Sequence, residues 1–529
     1  MLVLVLILLP LTTASLILGI RLLRPGFTRY WLIAVLGSLS AWGLSWFIRP
    51  ETPLNLPLAN WQPRIFLPIS PALLLDSKSW PFLIALTTLT LAALITDIAR
   101  PVTSRSSGYW YDLIVYLLVT ALSILATLSG NLLTLLLSWT LLAGVEFLLR
   151  LSKFQVSMQS GTLVWALSLR FASIGCVIWA GMIAYTAGLP LSFTTIPAQI
   201  SSILLLAAGI NLSVLPLHPP VPREDPKSAG LIALFRLAPC APALVLLARI
   251  GMLGTPANLE GLLLLLVGLA CIYGSLAWTR ATSPQAGIPF WIIGLASLAL
   301  AAALLRQSTA SLAWGIAILF AGGLYCLATS RLRGLTIILL LGLASISTLP
   351  FSPTWEGAGL YALPFRPLLI IFLVGQGLIL AGTLRYVLRL PPALAGAERW
   401  LGVLYTSGLL LLVISHFLVP WFIRSETGVI GQYRVGWIET GISMIAVGLA
   451  ALATPLFFSR PRRKSGALNS LINILELTWL YRIVAIFFQG AERIAGIVNS
   501  ILEGRAGILW TLLALALLLS LFVSLKPGG

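Results

Sequence analysis

Five ionisable residues lie within long apolar stretches of the sequence, where a charged or titratable side chain is costly and marks a candidate functional site. They are Glu146, Arg170, His218, Arg236 and His416. Glu146 and Arg170 fall on consecutive apolar stretches, so they can form an ion pair. Such a pair either fixes two helices or takes part in a proton or ion pathway. Because arginine almost never releases its proton, the fixed pair is favoured.

The two histidines differ in their surroundings. His218 lies in Leu215-Pro216-Leu217-His218-Pro219-Pro220, where prolines interrupt helical hydrogen bonding. Its imidazole can cap a freed carbonyl or titrate near neutral pH, and the sequence favours neither role. His416 stands alone in an apolar stretch, so we interpret it as structural. Asp97 and Arg306 lie near predicted helix ends, from which a charged side chain can extend to the membrane surface.

Motifs for other chemistry are missing from the sequence. It has no P-loop, no GxGxxG after a strand, no HExxH and no plausible Ser/His/Asp set. The four cysteines lie in apolar stretches without a CxxC pair, which predicts neither a disulfide framework nor an iron–sulfur site. They are Cys176, Cys240, Cys271 and Cys326. We therefore expect no catalytic residue, no cofactor and no metal site in this chain.

The composition identifies the solvent of most of the chain as lipid. Hydrophobic residues make up 59% and charged residues only 9% of 529 residues, against about 25% charged in soluble domains. The net charge of +18 is distributed over short loops, which favours membrane topology and lipid headgroups over nucleic acid. The sequence predicts an all-α integral membrane protein.

About sixteen apolar stretches are long enough to span a membrane as helices. They cover 1–23, 30–48, 79–98, 112–129, 131–150, 163–187, 198–217, 228–251, 258–278, 287–305, 309–330, 334–350, 365–388, 400–423, 436–458 and 507–525. The first stretch lacks the basic n-region and cleavage site of a signal peptide, so we interpret it as a retained helix.

Basic residues alternate between loops. Arg21, Arg24 and Arg29 follow the first stretch and Arg150 and Lys153 follow the fifth, whereas loop 188–197 has no Lys or Arg. The positive-inside rule then places odd-to-even loops in the cytoplasm of a prokaryotic-type plasma membrane. Both termini are expected on the non-cytoplasmic side.

The stretch from Gly466 to Arg505 combines helical apolar spacing with interspersed charges. This pattern predicts a short amphipathic helix along the cytoplasmic membrane surface, before the last span. It either anchors itself in the interface or braces a neighbouring subunit.

Several motifs occur in a shared order along the chain. They are Asp76-Ser77-Lys78-Ser79, Ser129-Gly130-Asn131 with Ser138-Trp139, Leu215-Pro216-Leu217-His218 with Pro226-Lys227-Ser228-Ala229, Ser347-Thr348-Leu349-Pro350, and Leu502-Glu503-Gly504-Arg505. Together they resemble the antiporter-like membrane subunits of respiratory complex I, Mrp-type cation/proton antiporters and membrane-bound hydrogenases.

The resemblance implies two inverted five-helix repeats, each with a broken helix, near 216–226 and 350–364. The implied organisation is 1–110 for helices 1–3, 111–251 for the first repeat, 252–424 for the second repeat region, 425–458 for helix 15, 459–506 for the lateral segment and 507–529 for helix 16. It also implies other membrane subunits and lipids as partners, and H⁺ or Na⁺ as the ion.

The chain departs from the family at the residues that carry protons. Thr140 stands where the family has a glutamate, and Asn211 stands where it has a lysine. Ala233 lies in the stretch that ends in histidine in the family. Conduction is then absent, or rerouted through Glu146, Arg170, His218 and Arg236. The expected function is a non-catalytic subunit of a complex I-like or hydrogenase/Mrp-like assembly. The alternatives are a stand-alone secondary transporter and a structural scaffold.

Overall fold

The computed structural model describes fourteen ranges of three or more residues and a few positions beyond them. The ranges are 2–49, 52–58, 69–98, 109–154, 161–215, 229–253, 255–281, 284–329, 335–362, 366–389, 399–425, 435–458, 511–513 and 515–518, with a few further residues between 474 and 496. The chain divides into two compact units, Met1–Ser465 and Gly466–Gly529. Nearly all described residues of both units that belong to regular structure are helical.

The first unit contains sixteen α-helices in its described residues. They are α1 Leu2–Leu23, α2 Tyr30–Phe47, α3 Trp80–Ile98, α4 Tyr109–Thr127, α5 Leu132–Phe154, α6 Gly161–Thr186, α7 Ala198–Asn211, α8 Ala229–Leu237, α9 Ala241–Ile250, α10 Ala257–Arg280, α11 Pro284–Leu304, α12 Ser308–Leu327, α13 Leu335–Ser345, α14 Leu369–Leu388, α15 Arg399–Ser425 and α16 Trp437–Phe458. A 3₁₀ turn, Ala238–Cys240, joins α8 to α9 within one span.

Thirteen segments of the described chain are long and apolar enough to cross a membrane. They coincide with thirteen of the sixteen predicted stretches, which confirms the prediction of an all-α integral membrane protein. Two further stretches form the short helices α7 and α13. The last stretch, 507–525, lies mostly outside the described residues, although residues 511–513 and 515–518 are helical.

The two short helices end earlier than the sequence suggested. The stretches 198–217 and 334–350 were expected to be helical throughout, but α7 ends at Asn211 and α13 at Ser345. Just beyond these ends, Ser213 (φ 65°) and Thr348 (φ 59°) adopt left-handed backbone conformations, which reverse the chain and stop a helix. The sequences at the two ends are related, Leu-Ser-Val-Leu-Pro at 212–216 and Ile-Ser-Thr-Leu-Pro at 346–350.

Irregular backbone and then a 3₁₀ segment follow the short apolar helix α13. The 3₁₀ segment is Trp355–Tyr361, and all but one of its residues are buried. It packs against α11, α12 and α16. Irregular backbone is tolerated within a membrane only when protein covers it, because lipid cannot satisfy its polar groups.

The protein core surrounds α12, whose residues from Ala310 to Leu327 are all buried. This helix packs against α3, α8, α9, α11 and α15. Of these helices, α3, α8, α9 and α11 are almost entirely buried and apolar all round, as expected for helices enclosed by others, whereas α15 is buried on one side only. The outer helices, α1, α2, α6 and α16, expose large apolar side chains instead.

A small β-hairpin interrupts the helical architecture, and the sequence patterns did not predict it. Strands β1 Leu54–Pro57 and β2 Ala72–Leu75 pair antiparallel. The second strand also bonds the α4–α5 junction, since Leu74 N donates to Leu128 O (2.7 Å) and Gly130 N donates to Ala72 O (2.8 Å). A Cβ at Gly130 would lie 2.9 Å from Ala72 O, so this junction requires glycine.

The predicted amphipathic segment belongs to the second unit. Most of its residues lie outside the described part of the chain. The single residues that are described between 474 and 496 are all helical, in keeping with the expected helix.

Candidate functional site

Glu146 and Arg150 form the centre of a buried charged cluster. They lie one helical turn apart on α5, where a Glu–Arg pair at this spacing points to the same side. Arg150 donates to Glu146 Oε1 through Nη2 (2.9 Å) and Nε (3.1 Å). Both side chains are less than a tenth exposed. The sequence interpretation had assigned Arg150 to a cytoplasmic loop, but α5 continues to Phe154 and carries it inside the protein.

Arg150 also donates a hydrogen bond to a backbone carbonyl, which is available because of a nearby proline. In a continuous helix, the carbonyl of Phe235 would accept a hydrogen bond from residue 239, but Pro239 has no N–H. Arg150 Nη2 donates to this carbonyl instead (2.9 Å). The guanidinium also lies over the Phe235 ring, 5.4 Å from its centroid. The interruption between α8 and α9 therefore supplies a carbonyl that holds the arginine.

Arg170 on α6 approaches the same carboxylate from the other side. Its Nη2 lies 3.5 Å from Glu146 Oε2, and its Nη1 donates to Asn211 Oδ1 (2.6 Å). Asn211 is the last residue of α7. The cluster thus links α5, α6 and α7, and Glu146 lies between two guanidinium groups.

A small cavity adjoins the cluster. The space open to the centre of a water molecule is about 10 Å³, close to the minimum that holds one water. The lining residues come from α5, α6, α7 and the α8–α9 turn. They are Trp139, Leu142, Ala143, Glu146, Arg170, Ile174, Asn211 and Pro239.

The other sequence candidates lie elsewhere. Arg236 is half-buried in the last turn of α8 and is not among the contacts of Glu146. His218 lies outside the described residues. Asp97 lies next to the end of α3, as the sequence indicated, and is buried by surrounding protein, with 5% of its surface exposed. Arg306 is exposed in the α11–α12 turn.

His416 belongs to a second polar group, beside the end of α13. Its Nδ1 lies 3.0 Å from Ser345 Oγ, and the ring stacks on Phe320. Ser345 Oγ itself donates to Gly342 O, which assigns the proton of the imidazole to Nδ1. Within the described part of the chain, Nε2 of this buried ring has no hydrogen-bond partner.

Uncharged side chains extend this group along the backbone that follows α13. Tyr361 donates to Gln376 (2.7 Å), and Gln376 donates to Thr348 Oγ1 (3.0 Å). Thr354 Oγ1 donates to Ser345 O and accepts from Thr348 N. Each hydrogen bond satisfies a polar group at the broken helix, so this network holds the break in place.

A third cluster lies at the opposite end of α9 from the α8–α9 turn. Arg249, with 6% of its surface exposed, pairs with Asp76 (Nε to Oδ2, 3.1 Å). It also donates to Ser129 O (2.8 Å) and Leu74 O (3.3 Å). One guanidinium therefore joins α9, the hairpin strand β2, the start of α3 and the α4–α5 junction.

Opposing effects set the pKa of two groups in this third cluster. Burial raises the pKa of Asp76, but the charge of Arg249 and hydrogen bonds from Arg249 and Ser79 outweigh it, so the pKa lies below its usual value. Burial lowers the pKa of Lys78 to about 8; the charge of Asp76 opposes this change and that of Arg249 adds to it.

Comparison with known proteins shows which solved structures share this fold. No family model and no curated protein sequence matches the chain. Solved structures match over most of it. One is from the archaeal membrane-bound sulfane sulfur reductase, a respiratory membrane complex (TM-score 0.69, 14% identity, 98% of this chain and 99% of that chain).

Two further structures match with similar identity. One is from the Mrp complex of Dietzia sp. DQ12-45-1b (TM-score 0.68, 14% identity); the match covers all of this chain, which spans 63% of the other. Another is from respiratory complex I of Thermus thermophilus (TM-score 0.56, 16% identity, 79% of this chain and 98% of that chain). This chain has the fold of the antiporter-like membrane subunits.

The three positions that depart from the motifs in the sequence resemblance have different surroundings. Thr140 is exposed on α5, and its hydroxyl donates to Leu136 O of the same helix. Asn211 binds Arg170. Ala233 is fully buried on α8 among apolar side chains. None of these three side chains titrates near neutral pH.

Sequence reasoning missed two arginines that anchor buried clusters in this chain. Arg150 had a local signal, because it lies four residues after Glu146. Arg249 had none, since Asp76 lies 173 residues before it in the sequence. Only the packing of α9 against the hairpin region brings the two together.

Proposed function

We propose that this chain is a non-catalytic membrane subunit of a multi-subunit, ion-translocating assembly. The fold it shares with chains of a sulfane sulfur reductase, an Mrp complex and complex I supports this proposal. Its partners are other membrane subunits and surrounding lipids. It binds no cofactor, and it lies in a prokaryotic-type plasma membrane with both termini on the non-cytoplasmic side.

We further propose that the first half of the chain conducts no protons through Glu146. The observation that carries this proposal is the position of its carboxylate between Arg150 and Arg170. Oε1 of Glu146 accepts hydrogen bonds from Arg150 and Oε2 lies 3.5 Å from Arg170, and breaking such an ion pair inside the protein is costly. Arg170 in turn is bonded to Asn211, and neither group can pass a proton on near neutral pH.

Purification tests the subunit proposal. The tagged chain, extracted in a mild detergent, is expected to co-elute with other membrane subunits in fixed stoichiometry. A chain that is purified alone and transports ions in liposomes would support the stand-alone transporter instead. An assembly that forms normally but translocates no ion would support the scaffold alternative.

Removal of the carboxylate tests the second proposal. The double substitution Glu146→Gln/Arg150→Gln removes one negative and one positive charge, so it leaves the net charge of the cluster unchanged. We expect the assembled complex to translocate ions at the wild-type rate. Normal assembly with abolished translocation would show that Glu146 lies on a conduction route. Glu146→Gln alone serves as the comparison in which both arginines lose their counter-charge.

A further inference from the structure

The carboxylate that borders the small cavity retains hydrogen-bonding capacity. Glu146 Oε1 accepts two hydrogen bonds from Arg150. The other oxygen, Oε2, has one polar contact within the described chain, Arg170 Nη2 at 3.5 Å. This separation is longer than the roughly 2.7–2.9 Å of a hydrogen bond between a guanidinium and a carboxylate. Oε2 can therefore accept a hydrogen bond from a molecule in the cavity.

The cavity wall also contains hydrogen-bond donors that are not fully used. Asn211 Oδ1 accepts from Arg170 Nη1 (2.6 Å), but the amide N–H groups of Asn211 have no acceptor among the described residues. A guanidinium has five N–H donors, and that of Arg170 contacts Asn211 and Glu146 there. Trp139 lines the same cavity, and its buried indole N–H has no hydrogen-bond partner in this part of the chain.

Size and polarity together limit what the cavity can bind. The space open to the centre of a water molecule is about 10 Å³, which is room for about one water. Cavities that stay dry are lined by apolar groups, whereas this wall contains Glu146 and Arg170. An anion would be repelled by the carboxylate and a cation by the guanidinium. A small neutral molecule that both donates and accepts hydrogen bonds fits both groups.

We propose that the cavity binds one ordered water molecule, which donates to Glu146 Oε2 and accepts from at least one nitrogen of Arg170, Asn211 or Trp139. The water supplements the long direct contact between Glu146 and Arg170 and so strengthens the link from α5 to α6 and α7. A buried water with such partners is part of the structure and is costly to remove. All these contacts lie within one chain, so the inference is independent of the proposed assembly.

Structure determination of the protein as purified from its membrane, alone or in an assembly, tests the site directly. At a resolution that shows ordered water, we expect one isolated peak in the cavity. It should lie about 2.5–3.2 Å from Glu146 Oε2 and from a nitrogen of Arg170, Asn211 or Trp139. A cavity without a peak would overturn the proposal. So would a row of waters that leads to a membrane surface, or a peak with an anomalous signal in crystals grown with bromide.

Two substitutions of Ala143 with nearly equal volume provide the second arm. Ala143 is buried in the cavity wall, so valine or threonine would fill the cavity and displace the water. The threonine hydroxyl can replace one hydrogen bond of that water, whereas valine leaves the polar groups unsatisfied. We therefore expect the thermal midpoint to fall in both variants, and to fall further in Ala143→Val than in Ala143→Thr.

The same pair of substitutions at Ala180 is the matched control. Ala180 is fully buried on α6 and is not among the residues that line the cavity. There the buried hydroxyl brings no new partner, so Ala180→Val should be at least as stable as Ala180→Thr. An Ala143→Val variant that is as stable as the wild type, or as stable as Ala143→Thr, would show that no bound water was lost and would overturn the proposal.

Discussion

Individual arginines determine how the buried charges of this protein are held. Arg150, Arg170 and Arg249 each bind a carboxylate together with a backbone carbonyl or a side-chain amide. A guanidinium suits this task because its donors form a planar fork and it remains charged. Groups bound in this way stabilise one arrangement of helices and make poor proton carriers.

Arg249→Gln should strongly destabilise the protein. It leaves the Asp76 carboxylate and the carbonyls of Ser129 and Leu74 without their donor, at a cost of about 3–5 kcal/mol. Thermal unfolding in detergent measures the loss. Because Asp76→Asn removes the same ion pair, the double variant should lose less than the sum of the single losses. Additive losses would show that the pair contributes nothing.

Lys78 should make stability depend on pH on the alkaline side. Its pKa is about 8 in the folded protein against 10.5 ordinarily, so the unfolded chain binds more protons between these values and stability rises with pH there. Lys78→Met should therefore raise the unfolding temperature at pH 7, with a smaller gain at pH 10. An equal gain at both values, or a similar gain in Arg306→Met, would contradict this explanation.

Pairs of helices owe their spacing to small residues at contact points. Gly274 of α10 meets α11 so closely that a Cβ would lie 2.7 Å from Gly294 N and from Phe290 O. Backbone atoms cannot move aside as a flexible side chain can. At the ends of α7 and α13, left-handed residues and buried polar groups instead stop a helix within the protein.

Gly274→Ala should force α10 and α11 apart and destabilise the protein by about 1–3 kcal/mol through overpacking. Gly261 lies on the same helix with no atom within 4 Å of an added Cβ, so Gly261→Ala should be neutral or slightly stabilising because alanine favours helix. The two variants are compared by thermal unfolding in detergent. Equal midpoints would contradict the close contact.

The loop charges predict an orientation of the whole molecule in the membrane. Loop 188–197, which carries no Lys or Arg, is expected outside, whereas the loop after α1, which carries Arg24 and Arg29, is expected in the cytoplasm. Helix packing does not show on which side of the membrane a loop lies, because a molecule inserted the other way round has the same internal contacts.

Cysteine labelling measures this orientation. In a Cys176→Ser background, which removes the half-buried native cysteine, Thr194→Cys should react with a membrane-impermeant maleimide in spheroplasts. Gly26→Cys should react only after permeabilisation. Both positions are exposed, so access to the reagent depends on the side of the membrane. The reverse pattern would overturn the assigned topology.

The sequence by itself determined the class of the protein and most of its helices. Runs of about 20 apolar residues form helices in lipid because only a helix satisfies their backbone, so α1 or α12 could be placed from local composition. The order of motifs indicated the antiporter-like fold, and the apolar surroundings of Glu146 and Arg170 marked them as candidates.

Only the tertiary structure decided how the charges are paired. Pairing depends on which side chains of distant segments meet, and no local pattern encodes this. Asp76 meets Arg249 across 173 residues, and the carbonyl that holds Arg150 is freed by Pro239 on another helix. The ends of α7 and α13 likewise depend on surrounding protein, because a broken helix is stable in a membrane only when its polar backbone is enclosed.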